Sequence, residues 1–478
     1  MGNCFSVKNE RDQNHYPRQN RNEPSSLSPP PTTRLNAQSN LYPNLSTPTF
    51  TTQAPEAIPV PQPQPQPVPQ IQYVYLPLIP PPQESIDSSG FTVLSKNPHL
   101  RYKANSLIQN DGMAKIYIGY LSDKKVLLKE FSIKQNIDSE IAILSSLDHK
   151  NIIKFIMKFE ALNNRLFLVT DFGEKISRSL HLKNDVYKKD AMMHLTSAVD
   201  YLQKMEIIHF QIVPENIFVV NHGSSCTFKL GNFSKSIVSQ TKTLKQFQCI
   251  EGYTAPEIFM QNYSLASDIW SLGCLFYYFV TAQKMNTIIN QIQMGRVIGK
   301  IKSIKEETTS IILFKDLLIK MLKFQGSKRL STADIQKHPY FWNAKQMIDL
   351  IVNVSRIMER DDNELKTFLF KGSSRVIGDS WVQRIDEDVT TELKVIKKNY
   401  RNFNRGGGKK KEDLNETSIK SLITTIRNIS VHDRSSIMIF YMGDNDEQLM
   451  DYWNLKFPYL IEHIYNATLQ YNNKENIY

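Results

Sequence analysis

The run IQNDGMAKIYIGYL (Ile108–Leu121), followed at once by KKVLLKEF (Lys124–Phe131), decides the fold. Both alternate apolar with polar residues and are rich in β-branched and aromatic side chains, so they read as paired strands. NIDSEIAILSSL (Asn136–Leu147) then turns to helical spacing, and NIIKF (Asn151–Phe155) and RLFLVTDF (Arg165–Phe172) return to strand character. The order strand, strand, helix, strand, strand predicts a small sheet lobe carrying one helix. Beyond it the apolar residues recur at helical spacing almost without strands, which predicts a second, helical lobe. The most apolar stretch, Ile269–Val280, is interrupted by Ser271 and Gly273. It falls short of the roughly 18 residues of a spanning helix and reads as a buried one.

Several short motifs follow in order through this region. VLLK ends at Lys129, the helix after it carries Glu140, HFQIVPEN spans His209–Asn216, and GNFS spans Gly231–Ser234. APE (Ala255–Glu257), DIWSLG (Asp268–Gly273) and Arg329 come next. Over roughly Phe91–Trp342 the chain thereby resembles the protein kinase family. The resemblance places Lys129 at the phosphate-binding lysine, Glu140 at its helix partner, Asn216 among the retained nucleotide-site residues of the catalytic loop, Asn232 at the metal-binding aspartate, and Asp171–Gly173 at the hinge that receives adenine.

The same resemblance exposes substitutions. Phosphoryl transfer needs a carboxylate to accept the hydroxyl proton, and that position holds Gln211. The neighbouring lysine is Val213, the metal-binding aspartate is Asn232, and the glycine after its phenylalanine is Ser234. Gln109, Asp111 and Ala114 stand in place of the three glycines of the phosphate-covering loop, with Gly112 alongside. An acidic Asp111 opposes a triphosphate. The expectation is a pseudokinase that retains ATP or ADP as an allosteric ligand, with magnesium held weakly or not at all. A Lys129–Glu140 ion pair that merely positions the helix is an equal alternative.

Further on, SIKSLITTIRNISVH (Ser418–His432) places Ile419, Leu422, Ile423 and Ile426 at i, i+3, i+4 and i+7, one stripe to be buried against other helices. At about 100° per residue Asn428 projects from the opposite face, His432 lies one turn on, and Arg427 flanks them. These groups suit metal-free RNA cleavage. An imidazole titrating near neutrality moves the protons of the 2'-hydroxyl or the leaving 5'-oxygen, a guanidinium stabilises the pentacoordinate phosphate, and an amide orients it. Taken alone, such a trio more often marks a solvated helix end.

Its context is an all-helical extension after HPYFW (His338–Trp342): WNAKQMIDLIVNVSRIM, VIGDSW (Val376–Trp381), VTTELKVIKKNY, the helix above and DEQLMDYWNLKFPYLIEHIY. From Phe91 to about Leu469 the arrangement resembles the kinase-extension nuclease family, shared by the inositol-requiring endoribonuclease of the unfolded-protein response and ribonuclease L. That resemblance implies catalysis by Arg427, Asn428 and His432, products ending in a 2',3'-cyclic phosphate, RNA as substrate, and a working surface formed by a homodimer. Phe403 falls where the family has its tyrosine, with Tyr400 three residues earlier as a substitute, and an acidic family position is Ser421. Between them, NRGGGKKKEDLNE (Asn404–Glu416) is longer than usual. Its Lys409–Lys411 either raise phosphate affinity or are solvated.

At 478 residues with 41% apolar side chains, the chain has room for two or three buried cores. Four cysteines scattered without metal-ligand spacing suit a reducing compartment. A net charge of +11 favours RNA or the inner membrane surface. MGNCFS supplies Gly2 and Ser6 in myristoylation register, with Cys4 open to palmitoylation. In a eukaryotic cell, Lys8, Arg11, Arg18 and Arg21 would add attraction to anionic lipid. Residues 12–88 are rich in Pro and Gln, with PVPQPQPQPVPQ at Pro59–Gln70. They are expected to be a disordered tether.

The expected architecture is an α+β bilobal protein-kinase fold over 89–342, followed by an all-α kinase-extension nuclease domain over 343–471. A lipid-anchor signal (1–11), the linker (12–88) and a tail (472–478) complete the chain. Lipid anchoring on the cytoplasmic face of a membrane would replace the family's lumenal or ankyrin sensor. Two other classes stay open on the residues alone. One is an active serine/threonine kinase, in which another residue must replace Gln211. The other is a catalytically dead signalling scaffold, favoured by Phe403 and Ser421.

Overall fold

The computed structural model describes residues 84–475, apart from 95–96, 111–113, 133–136, 177–183, 241–248, 361–362, 404–414 and 433. Gly2, Cys4, Asp111, Gly112 and Lys409–Lys411 lie outside the described residues, as does almost all of the linker.

Seven antiparallel strands build the first lobe: β1 (Ser85–Ile86), β2 (Thr92–Leu94), β3 (Asn97–Asn110), β4 (Lys115–Leu121), β5 (Lys124–Ser132), β6 (Phe155–Glu160) and β7 (Arg165–Asp171), in the order 1-2-3-4-5-7-6. Helix α1 (Asp138–Ser145) lies between β5 and β6. The pleat of β5 sorts its side chains. Val126 and Leu128 join Tyr102, Tyr117 and Phe167 in one apolar layer, while Leu127 packs with Ile116, Ile153 and Phe218 on the other side. Lys129, two residues after Leu127, therefore shares the inner face.

Two boundaries move. Strand β1 falls inside the segment assigned to the linker, because Ser85 and Ile86 pair with Val93 and Thr92 and the Glu84 carboxylate bonds Arg165. NIIKF is also not a strand until Phe155. Its backbone turns to the other lobe, Ile153 N–H donating to the Leu230 carbonyl (2.9 Å), while Asn151 Nδ2 donates to the Phe228 carbonyl (3.0 Å).

The second lobe contains β8 (Glu174–Lys175), α2 (Asp185–Lys204), β9 (Ile207–Ile208), β10 (Ile217–Asn221), β11 (Cys226–Leu230), β12 (Ile237–Val238), α3 (Ala266–Thr281), α4 (Met294–Lys302), α5 (Thr309–Met321) and α6 (Thr332–Gln336). Helix α3 is buried from Ser267 to Phe279, as its composition predicts. Arg329 grips Glu257 with two 2.7 Å bonds and stacks over Trp270, fixing the scaffold that the APE and DIWSLG motifs announce. Asp268 accepts from His209 and Phe210 N–H (2.7 and 3.0 Å) and so sets the loop that carries Gln211.

Among the described residues eight helices follow: α7 (Ala344–Glu359), α8 (Asn363–Phe370), α9 (Ser374–Ile377), α10 (Glu387–Phe403), α11 (Ile419–Val431), α12 (Ser436–Met442), α13 (Asp446–Lys456) and α14 (Leu460–Glu475). A reciprocal cap between Asn343 and Gln346 starts α7. The C-terminal pattern breaks in two at Phe457–Pro458, where proline has no N–H to continue the helix. Helix α14 runs past residue 471 into the expected tail.

One apolar core continues from α1 and the helical lobe into the extension. At the junction, Asp316 on α5 accepts from Lys320 Nζ (2.6 Å) and faces His338 Nε2 (3.0 Å), and Lys320 also reaches Asn466 Oδ1 on α14 (2.6 Å). Burial alone would raise the Asp316 pKa, but His338 and Lys320 outweigh it and hold the carboxyl below its usual value.

Candidate functional site

Two sites follow from this frame. In the interlobe cleft, Lys129 Nζ reaches Glu140 Oε1 at 2.7 Å and Oε2 at 3.1 Å, with both residues buried. The ammonium also donates to Asn232 Oδ1 at 2.9 Å. Asn232 then donates through Nδ2 to Asn216 Oδ1 (3.1 Å) and Gln211 Oε1 (3.4 Å), and Ser234 Oγ donates to the same Gln211 oxygen (3.2 Å). Neutral amides thus satisfy one another where a kinase needs carboxylates for a base and a metal. Asn232 holds φ +63°, a left-handed conformation that asparagine tolerates. Val213 is buried.

Sequence reading missed what fills the cleft. Phe218, just after the PEN motif, is 4% exposed and packs on Ile116, Leu127 and Ile153. A Cβ on Gly231 would stand 2.8 Å from the Phe218 ring and one on Gly173 2.8 Å from Phe218 Cβ, so Gly231 makes room for the ring and Gly173 for the stem of the side chain. Lys175 bonds the Gln109 side chain and the Glu215 carbonyl, tying the end of β3 to the PEN motif. The open volume left is about 40 Å³, close to the space of one water and far below the roughly 300 Å³ of a small-molecule pocket. The carboxylate of Asp171, at the expected hinge, accepts from Lys154 N–H (2.6 Å) and pairs with Lys229 (2.9 Å).

The second site lies at the end of α11. Ile419, Leu422, Ile423 and Ile426 are fully buried, as their spacing requires, and α11 packs on α7. Its entry is held by the VIGDSW turn. Trp381 is buried, its backbone and indole N–H groups donate to the Glu416 and Asn415 carbonyls (3.0 and 3.1 Å), and Ser380 Oγ donates to Glu416 (3.1 Å). Asn428 and His432 are exposed and Arg427 is half-buried. His432 caps the helix rather than continuing it. Its N–H still bonds the Asn428 carbonyl (3.1 Å), but ψ of 160° carries the chain away.

Arg427 Nη1 donates to Asn428 Oδ1 at 3.0 Å and lies 3.8 Å from Glu359 at the end of α7, a partner that sequence spacing does not reveal. Arg427 Nε is buried with no acceptor among the described residues. The guanidinium is thus held by Asn428 and Glu359 at its outer end, with its inner nitrogen unpaired among the described residues. Tyr400 and Phe403 both lie on the last turns of α10, but their side chains are outside the description.

Comparison with known proteins agrees with this division. Residues 118–341 match the family model "protein kinase domain", and residues 347–478 match "ribonuclease 2-5A". The chain is 21% identical over 353 residues to the serine/threonine-protein kinase/endoribonuclease ire-1 of Caenorhabditis elegans, covering 67% of this chain and 34% of that protein. It is 29% identical over 247 residues to an Aurora kinase of Saccharomyces cerevisiae, covering 48% of this chain and 66% of that one. The chain spans about a third to two thirds of the length of these curated relatives.

Proposed function

Because the chain joins a protein kinase domain to a ribonuclease 2-5A domain, we propose that it is an endoribonuclease regulated by a pseudokinase. The observation that carries this reading is the exposed end of α11, where Arg427 and Asn428 share a hydrogen bond and His432 caps the same turn. Arg427 clamps the scissile phosphate, Asn428 orients it, and His432 moves the proton, leaving a 2',3'-cyclic phosphate. Phe403 or Tyr400 completes the wall of the site.

The amide network at Gln211, Asn216 and Asn232 supports loss of phosphoryl transfer. ATP or ADP then acts as an allosteric ligand, with magnesium weak or absent, and its entry must displace Phe218 and the Lys175 contacts from the cleft. Val395, Ile396, Val431 and Phe440 are exposed on α10, α11 and α12, which favours a homodimer through the nuclease face. Membrane attachment falls to acyl chains at Gly2 and Cys4. No helix among the described residues is long and apolar enough to cross a bilayer.

The test is cleavage of a labelled structured RNA in EDTA by the full chain at high concentration, beside His432→Ala. Cyclic-phosphate products lost in the variant are expected. Equal cleavage by both, or none from folded and dimeric protein, would leave a scaffold as the better account.

A further inference from the structure

Between Lys284 and Lys305 the chain carries Lys284, Arg296, Lys300, Lys302 and Lys305 and no carboxylate, and the exposed Glu306 and Glu307 that follow still leave the stretch net positive. The same segment leaves aliphatic side chains in water: Ile292 is 93% exposed, Ile289 52% and Ile298 38%. Helix α4 buries Val297 and Ile301 completely, which fixes its opposite face outward. Gly295, Ile298, Gly299 and Lys302 share that face, with Ile292 just before it. Nothing stands within 4 Å of where a Cβ on Gly295 or Gly299 would be. Glycine weakens a helix, and nothing inside the lobe requires it here. Those bare positions leave the isoleucines unshielded and the face low enough to lie against a plane.

We propose that this face docks on an anionic lipid surface. Ile289 and Ile292 enter the headgroup layer, and Arg296, Lys302 and Lys305 lie along the lipid phosphates and carboxylates. The segment has no aromatic residue, which disfavours the base stacking of a single-stranded RNA site. Interleaved cations and exposed aliphatics match a bilayer interface better. The inference rests on the membrane tether proposed above, which holds the face near the bilayer. Docking would then orient the catalytic body as well as confine it.

The test uses the full chain carrying Gly2→Ala, which cannot be acylated at its N-terminus, sedimented with phosphatidylcholine vesicles with and without phosphatidylserine. Binding only to the anionic vesicles is expected, weakening with salt. Arg296→Gln with Lys302→Gln should lower the partition about thirty-fold, at about 1 kcal/mol per surface cation, and Ile292→Asn about ten-fold. Both variants should melt with the parent, since the altered side chains are exposed. Variants that bind as well as the parent would overturn the proposal. So would variants that lose RNA binding while vesicle binding is unchanged. The acylated chain tests the tether separately: if it fails to bind pure phosphatidylcholine vesicles, the tether fails while the Gly2→Ala result still judges the surface.

Discussion

Asp316→Ala tests whether the kinase and nuclease parts stand as one body. The change removes the acceptor shared by His338 Nε2 (3.0 Å), Lys320 Nζ (2.6 Å) and Asn466 Nδ2 (3.4 Å). His338 is 0% exposed and its buried Nε2 loses the carboxylate, a loss of about 1–3 kcal/mol. Lys320 keeps Asn466 Oδ1 at 2.6 Å and a side chain 19% exposed, so its share is near the lower end of that range. The sum is about 3 kcal/mol, a large fraction of the roughly 5–15 kcal/mol that holds a domain folded. At about 2 °C per kcal/mol for a chain of this size, the unfolding temperature should fall by about 6 °C, with RNA cleavage lost over the same range. Asp316→Asn keeps an acceptor and should recover more than half of the loss. A variant Asp316→Ala that melts and cleaves like the parent would refute a junction built on this carboxylate. An asparagine as damaging as alanine would show that charge, not hydrogen bonding, does the holding.

Acid should loosen the same junction in two windows. His338 Nδ1 accepts from Tyr340 N–H (3.2 Å) while Nε2 faces Asp316, so the ring is neutral, and burial lowers its pKa from 6.5. The unfolded chain takes up a proton that the folded one refuses, so stability falls as pH drops below about 6.5. Asp316, held below 3.8, contributes stability that is present above that value and lost as pH falls through its lower folded pKa. Chemical denaturation from pH 8 to 4 should show the first window, to which burial of His209, His149 and His194 also contributes, and His338→Gln should remove His338's share and leave the rest. At the nuclease site, Glu359→Gln removes an exposed competitor for Arg427 and should lower the KM for RNA about two- to five-fold with kcat unchanged, as befits a surface pair worth under about 1 kcal/mol. In the cleft, Phe218→Leu should tighten ADP binding at least about five-fold, read as a larger ligand-induced rise in melting temperature than the parent shows. An equal response would mean that the ring does not close the pocket.

What was legible in the sequence is what repeats along it. The stripe on α11, the buried run of α3 and the strands around Lys129 follow from a period of two or 3.6, and each side chain's face is set by its own element. Motif order located Lys129, Glu140, Gln211, Asn216 and Asn232, which the fold gathers around one cleft. The cleft's contents were hidden because they come from chain segments with no shared period. Phe218 looks like any strand residue until Gly173 and Gly231 are seen to make way for it. Glu359 meets Arg427 only because α7 packs on α11. The same logic explains the strand misplaced at NIIKF. Its Ile152 and Ile153 are buried, but Ile153 bonds across to Leu230 and Asn151 to Phe228, so only from Lys154 onward does the segment bond its own lobe. Burial is written locally, whereas the partner that satisfies a buried group is chosen by the whole fold. The pairs that tie distant segments together here, Asp316 with His338 and Lys175 with Gln109, are of that second kind.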